Sequence, residues 1–185
     1  MSVMAAPAML TREDLDALPD DGHRHELLDG AIFVTPSPGF SHQDVVLRLG
    51  SWMLPAIDAA GLVLLGAPFD VVLSEFTVVE PDLLVARRDQ FSAKDLAGAP
   101  LLAVEVRSRS TAAVDAVIKR DLYERAGVQS YWLIDPAGPS LTVLELVDGR
   151  YQEVATVGGD ESIEVTQPVP MRLTPSQWRG SRPRP

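Results

Sequence analysis

Two carboxylates set in apolar surroundings are the residues of this sequence that most need a chemical explanation. Glu105 lies inside the apolar run 101–106, and Asp82 follows a proline and leads into a second apolar run, LLVA. An ionised carboxylate in a buried strand is unfavourable unless it is paired, protonated or bound to a metal. An ion pair of Glu105 with Arg107 or Lys119, and a turn-capping role for Asp82, are the alternatives to a shared site.

Taken together, the two acids indicate a site for a divalent cation. Two carboxylates about 4 Å apart repel by roughly 4 kcal/mol at an effective dielectric constant of 20, so a site that gathers both requires a cation. The chain has no cysteine, and hard oxygen ligands favour Mg²⁺ or Mn²⁺ over zinc. The chemistry expected of such a site is the activation of water for hydrolysis.

A stripe of polar residues follows on a predicted helix. Asp115, Lys119 and Tyr123 are spaced four apart, so they share one side of the helix. An exposed ion pair between Asp115 and Lys119 is one interpretation. The other places the Lys119 ammonium beside a metal-bound water, where it orients the attacking hydroxide and offsets charge on a phosphate.

Strands must hold the two acids in place, and the hydrophobic pattern predicts several. Residues 101–106 are almost continuously apolar, as in a central strand covered on both faces. Alternation puts Glu105 on one face with Ala103 and Arg107, and the apolar residues between them on the other. Further strands are predicted at 31–35, 62–65, 69–73, 82–86 and 130–134, while 24–28 is a short helical or extended piece before a turn. Segments 141–147 and 151–157 flank Asp148-Gly149, which predicts a type I′ hairpin.

Three helices complete the predicted α/β pattern. Thr11 is an N-cap signal for a short helix that ends before Pro19. The second, long and amphipathic, runs from Ser41 to near Gly61, and the third opens at Thr111 and stops at Gly127. The predicted apolar side of the second helix consists of Val45, Val46, Leu49, Trp52, Met53 and Ile57, and that of the third of Val114, Val117, Ile118, Leu122 and Ala126.

Length and charge narrow the choice of class. A chain of 185 residues suits one domain, expected over 11–178 between a flexible N-terminus, 1–10, and a flexible tail, 179–185. Its longest apolar run falls far short of a membrane span, so a cytoplasmic protein without membrane contact is expected. The formal charge of −10 argues against a broad basic surface for nucleic acid.

Six segments between about positions 10 and 170 carry a resemblance to a known family. They are HELLDG, PSPGFSHQ, EPDLLVA, APLLAVEVRSRST, DAVIKRDLYERAGV and SYWLIDP. In their order and spacing the sequence resembles the Uma-type family of putative restriction endonucleases, a branch of the PD-(D/E)XK nuclease superfamily. The resemblance implies a restriction-endonuclease-like mixed central sheet flanked by helices, with the hairpin at its C-terminal end.

The same resemblance implies a metal-dependent DNA endonuclease and assigns roles to its residues. Asp82 and Glu105 would bind Mg²⁺ or Mn²⁺ with the backbone carbonyl of Val106, and Glu26 would be a further acid from the N-terminal helix of the core. The lysine of the superfamily would have moved from the strand to the next helix, as Lys119. Segment 105–107 reads E-x-R, which makes Arg107 the competing cation. Lys119 is favoured because a guanidinium cannot release its proton.

Other interpretations remain beside this one. A nuclease-fold module that binds DNA or a protein partner without cutting would fit the acidic charge. A metal-free pair of carboxylates acting on sugars is disfavoured, because the aromatic content of 6% offers few stacking platforms. His42 is either a surface histidine or a residue near the site. DNA is the expected partner, and a homodimer with the apolar hairpin as its interface would suit cleavage of both strands.

Overall fold

The structure, a computed structural model, describes residues 9–108 and 114–178, without the side chains of 114–116. The helices are α1 (Arg12–Asp16), α2 (Phe40–Ala59) and α3 (Arg120–Ala126), with a π-helical segment at Val114–Lys119 and 3₁₀ turns at Arg88–Gln90 and Pro175–Trp178. The strands are β1 (Arg24–Leu28), β2 (Ala31–Thr35), β3 (Leu62–Gly66), β4 (Asp70–Ser74), β5 (Thr77–Val79), β6 (Leu83–Arg87), β7 (Asp95–Ala97), β8 (Leu102–Val106), β9 (Ser130–Asp135), β10 (Ser140–Val147), β11 (Arg150–Gly158), β12 (Ile163–Val165) and β13 (Met171–Leu173). The flexible ends predicted at 1–10 and 179–185 fall largely outside the described residues.

The described strands form two large sheets and one small one. The order is β11-β10-β9-β8-β6-β3 in the six-stranded sheet and β2-β1-β5-β4-β7 in the five-stranded sheet, while β12 pairs with β13. Both large sheets are mixed, because β8 runs parallel to β9 and β4 parallel to β7. The predicted α/β class and C-terminal hairpin are confirmed. The chain passes between the two large sheets at Pro81, leaving β5 in the five-stranded sheet and entering β6 in the six-stranded sheet.

The six-stranded sheet lies between two hydrophobic layers. On one face Leu83 and Val104 pack with the buried side of α2; on the other Leu84 and Ala103 pack with the five-stranded sheet and α3. Strand β8 is buried at all five positions, as expected for a central strand covered on both faces. Leu102, Val104 and Val106 pack in one layer and Ala103 in the other, which confirms the predicted alternation along β8.

Helix α2 is amphipathic as predicted. Its buried residues are Val45, Leu49, Met53 and Ile57, whereas Trp52 is 39% exposed. In the part of the chain that the structure describes, no helix has the length and apolarity needed to cross a membrane.

The short N-terminal elements are a capped helix and a hairpin. The Thr11 hydroxyl accepts the Asp14 N–H at 3.4 Å, which confirms the predicted N-cap of α1. Strand β1 pairs with β2 over its full length, through a turn at Asp29 and Gly30 with φ of 48° and 77°. The helix expected to carry Glu26 is therefore wrong: five residues between two turns are too few for a stable helix, and pairing satisfies their backbone groups.

The third helix departs most from its prediction. Its expected start at Thr111 lies outside the described residues, and the backbone is π-helical before Arg120. Val117 and Ile118, predicted on the apolar side, are 67% and 37% exposed, while Lys119 is buried. A π segment has i→i+5 hydrogen bonds instead of i→i+4. The wider turn changes which residues face inward, so Lys119 lies inside and the two aliphatic residues lie outside.

Candidate active site

A cleft of about 320 Å³ opens beside the adjacent ends of β6 and β8. The residues that line it include Arg24, Glu26, residues 33–39, His42, Asp82, Glu105, Val106, Ser108 and Lys119. The structure thus brings together the four principal residues selected from the sequence, Glu26, Asp82, Glu105 and Lys119. Each of the four is at most 4% exposed.

Strand register places the two acids of the sequence motif side by side. Leu83 of β6 pairs with Val104 of β8, so Asp82 and Glu105 occupy the next opposed positions of this antiparallel pair. Side chains at opposed positions lie on one face, with Cβ atoms about 4.5–5.5 Å apart. Asp82 Oδ2 accepts the Val106 N–H at 2.8 Å. Asp82 thus binds across the strands and does not cap a turn.

Lys119 lies between two buried carboxylates. Its Nζ is 2.8 Å from Glu26 Oε1 and 3.0 Å from Glu105 Oε1. The Tyr123 hydroxyl also donates to Glu105 Oε1, at 2.9 Å. The ion pair between Glu105 and Lys119 considered from the sequence is therefore present, and it is buried, so Lys119 does not form the exposed helix pair that was the alternative.

Glu26 is held as a carboxylate by three groups. Its Oε1 accepts the Glu80 N–H at 2.7 Å, in addition to its contacts with Lys119 and Arg24. Burial works to raise the pKa of Glu26, but the charges of Lys119 and Arg24 and the Glu80 N–H outweigh it, so the pKa lies below its ordinary value. Glu26 is therefore ionised at neutral pH.

Arg24 is a component of the cleft that sequence reasoning missed. Its Nη1 is 3.4 Å from Asp82 Oδ1, its Nη2 is 3.4 Å from Glu26 Oε1, and its Nε is 3.6 Å from Glu80 Oε2. Nη2 also donates to the Glu80 carbonyl. Burial works to lower the pKa of Arg24, but the surrounding carboxylates outweigh this effect, so the pKa lies above its ordinary value. Alternation along β1, which puts Arg24 on the same face as Glu26, was the available signal.

Glu80 is the second missed residue. It is 9% exposed, and its Oε2 has no hydrogen-bond partner among the described residues, although Arg24 lies nearby. Burial raises the pKa of Glu80 to about 7, against the opposing effect of Arg24. The segment Glu80-Pro81-Asp82 holds two acids around a proline, and that pattern was the signal for a second carboxylate here.

His42 lies at the site and not on the free surface. It is in the first turn of α2, and its Nε2 is 3.0 Å from Asp82 Oδ2. Burial works to raise the pKa of Asp82, but the His42 hydrogen bond and the Val106 N–H lower it below its ordinary value. His42 therefore keeps Asp82 ionised and fixes its orientation.

The two remaining candidates are less informative. Arg107 is partly buried, and its Nε has no hydrogen-bond partner in the described part of the chain. Its side chain does not line the cleft. The side chain of Asp115 lies outside the described residues.

The donor set of the cleft suits a hard divalent cation. Among the described residues, three carboxylates (Glu26, Asp82 and Glu105) line the cleft together with Arg24 and Lys119, and Glu80 contacts Arg24. Carboxylate oxygens are the ligands that Mg²⁺ prefers. Within ranges 9–108 and 114–178, no three His, Asp or Glu residues are already arranged as a metal cage; Arg24, Lys119 and His42 hold the acids.

Similarity to known proteins agrees with this fold. The model of the Uma2 family, described as putative restriction endonuclease, matches residues 12–176. The crystal structure of "a putative nuclease belonging to DUF820" from Anabaena variabilis ATCC 29413 has a TM-score of 0.71 and 18% sequence identity, covering 91% of this chain and 97% of that chain. No curated protein matches the sequence. Because the family model spans most of its length, this protein belongs to the Uma2 family of putative restriction endonucleases.

Proposed function

We propose that this protein is a metal-dependent DNA endonuclease that hydrolyses phosphodiester bonds. The observation that carries the proposal is the position of Asp82, Glu105 and Lys119 on the wall of one cleft. Two opposed acids at the end of a strand pair, with a buried lysine beside them, form the constellation that metal-assisted hydrolysis requires. Membership of the family and the nuclease description of the structural neighbour support the same reaction class.

Mg²⁺ or Mn²⁺ would be held by Asp82, Glu105 and the backbone carbonyl of Val106, with Glu26 as a further acid. When bound, such an ion lowers the pKa of water and neutralises charge on a phosphate. Lys119, fixed by Glu26 and Glu105, would orient the attacking water and stabilise charge that develops on the phosphate oxygens.

The remaining side chains hold the acids in position. Tyr123 donates to Glu105, and His42 contacts Asp82. Each fixes one carboxylate by a hydrogen bond from a different helix, so both acids keep their orientation when the cleft fills. Such support of ligating groups is a general requirement of metal sites.

A module that binds without cutting is the second candidate. The observation that favours it is the ion pairing of Arg24 and Lys119 with carboxylates. Both cations are engaged within the protein, and the net charge of −10 offers little attraction for DNA. A protein partner would suit that charge better.

Nicking of supercoiled plasmid in Mn²⁺ tests the proposal. Loss of a residue that merely supports a metal ligand typically lowers metal affinity or activity roughly 10–100-fold. We therefore expect Glu105→Gln, which alters a proposed ligand itself, to lower the nicking rate by at least that factor. EDTA should abolish nicking. Glu164→Gln, which neutralises an exposed acid on β12, should keep full activity. Equal nicking by all three proteins would identify a contaminant, and a silent wild type that still binds DNA or a protein partner would favour the second candidate.

A further inference from the structure

The Arg24 guanidinium contacts carboxylates that a divalent cation in the cleft would also contact. It lies within 3.4–3.6 Å of three carboxylates, those of Asp82, Glu26 and Glu80. Its side chain is 20% exposed, so water screens these contacts only in part. A guanidinium does not lose its proton at any accessible pH, and its charge therefore stays in the cleft under all working conditions.

Two of these three carboxylates are proposed metal ligands. The Nη1 atom points at Asp82 Oδ1, while Asp82 Oδ2 is taken by the Val106 N–H and His42. A cation that approaches Asp82 through Oδ1 therefore meets the Arg24 charge directly. Repulsion between the two cations must weaken metal binding, or Arg24 must turn away from Asp82.

We propose that Arg24 is an internal counter-cation that neutralises Asp82 and Glu26 in the metal-free protein and competes with the divalent cation for Asp82. This inference depends on the divalent-cation site of the proposed function. Arg24 is thus a positioning residue: it keeps the acids gathered before the metal binds, and it sets the metal affinity by how readily it releases Asp82.

The proposal predicts opposite effects of Arg24 on the two states of the protein. In Arg24→Gln the metal-free acids lose a counter-charge and repel one another, so the metal-free melting temperature falls. Mn²⁺ then replaces the missing charge without competition. We expect Mn²⁺ to bind roughly tenfold more tightly than to the wild type, equivalent to about 1.4 kcal/mol, and to raise the melting temperature by a correspondingly larger increment.

Titration calorimetry and thermal melts with Mn²⁺ alone, without DNA, test this. The matched control is Arg12→Gln, because Arg12 also bridges several carboxylates, Asp16, Asp70 and Asp95, and is 24% exposed, but lies outside the cleft. The control should lose stability while Mn²⁺ affinity stays unchanged. Arg24→Lys keeps the positive charge but not the planar fork of donors, so we expect it to bind Mn²⁺ less tightly than Arg24→Gln.

Each outcome is decisive. Tighter binding by Arg24→Gln alone supports the proposal, as does binding by this variant when the wild type binds none. If Arg24→Gln binds Mn²⁺ as tightly as the wild type or more weakly, the proposal is overturned. It is also overturned if Arg24→Lys binds Mn²⁺ as tightly as Arg24→Gln. In both cases, Mn²⁺ binding by the wild type leaves the proposed function intact. If neither wild type nor Arg24→Gln binds Mn²⁺, both the inference and the metal site fail. Should Arg24→Gln unfold without metal, Mn²⁺ must restore its folding, and failure to do so also overturns the proposal.

Discussion

Replacement of Lys119 by methionine is the sharpest test of the buried charge cluster. Methionine fills nearly the same space without a charge, so the packing around α3 is largely kept. The ammonium lies 2.8 Å and 3.0 Å from carboxylates of Glu26 and Glu105, each of which is 2% exposed. Removing one partner of a buried ion pair typically costs about 3–5 kcal/mol, because it leaves an uncompensated buried charge. We expect a loss of that size in the free energy of unfolding at neutral pH.

The pH dependence of the loss separates charge from shape. In the wild type the pKa of Glu26 lies below its ordinary value of 4.5, so Glu26 contributes stability above pH 4.5 that is lost as the pH falls through its lowered pKa. Lys119 is the strongest of the groups that lower this pKa, so without it we expect burial to outweigh Arg24 and the Glu80 N–H and to raise the pKa of Glu26 above its ordinary value. The sign then reverses: Glu26 destabilises the variant at neutral pH, and protonation relieves this as the pH falls. The gap between Lys119→Met and wild type should therefore narrow on acidification.

Urea unfolding of the metal-free protein between pH 4.5 and 7.5 measures this. A double-mutant cycle with Glu26→Gln isolates the pair; the double variant should be more stable than Lys119→Met alone, since a neutral amide replaces the stranded carboxylate. A loss that is constant over this pH range, or a double variant with strictly additive losses, would refute the electrostatic explanation and assign Lys119 a packing role.

Two further predictions concern the groups that orient the acids. Tyr123→Phe removes a hydrogen bond to the charged Glu105 carboxylate and should lower the free energy of unfolding in urea by about 1.5–3 kcal/mol. The control Tyr151→Phe removes a hydrogen bond to the neutral Val128 carbonyl and should lower it by about 1 kcal/mol. Equal losses would contradict ionisation of Glu105. His42→Leu should cost about 1.5–3 kcal/mol at neutral pH. Because the pKa of Asp82 lies below its ordinary value of 3.8, that deficit should shrink as the pH falls below 3.8, and a deficit independent of pH would exclude the His42–Asp82 contact as its cause.

The strands that carry Asp82 and Glu105 could be predicted because the information is local. An acid inside or at the start of an apolar run marks a strand and an unsatisfied charge at once, and strand alternation then gives the face. The lysine was also accessible, because its spacing from Tyr123 by one helical turn brings both side chains to Glu105. Local sequence thus indicated Asp82, Glu105 and Lys119, whereas Glu26 was implied by the family resemblance alone.

Sequence patterns pointed to Arg24 and to Glu80 separately, but the contact between them could not be predicted, because it depends on a second sheet. They are 56 positions apart in the chain, and strand β5, which leads to Glu80, has only three residues. A segment of that length has no readable period. Its pairing with β1 brings the Glu80 N–H to Glu26. Non-local strand pairing therefore determines which charged groups surround Glu26 and Asp82. Local sequence patterns predict only the strands on which the acids lie.

The composition of the cleft argues for a role beyond stability. A buried cluster of paired charges is often less stable than well-packed apolar residues of similar volume, because desolvation offsets much of the attraction. Here the chain places a lysine, an arginine and four carboxylates where two hydrophobic layers could otherwise continue. Among the described residues this cluster has four carboxyl groups and two fixed cations, and Glu80, with a pKa of about 7, is only partly ionised at neutral pH. Three of these carboxylates line an open cleft, which fits their proposed role as ligands of a divalent cation.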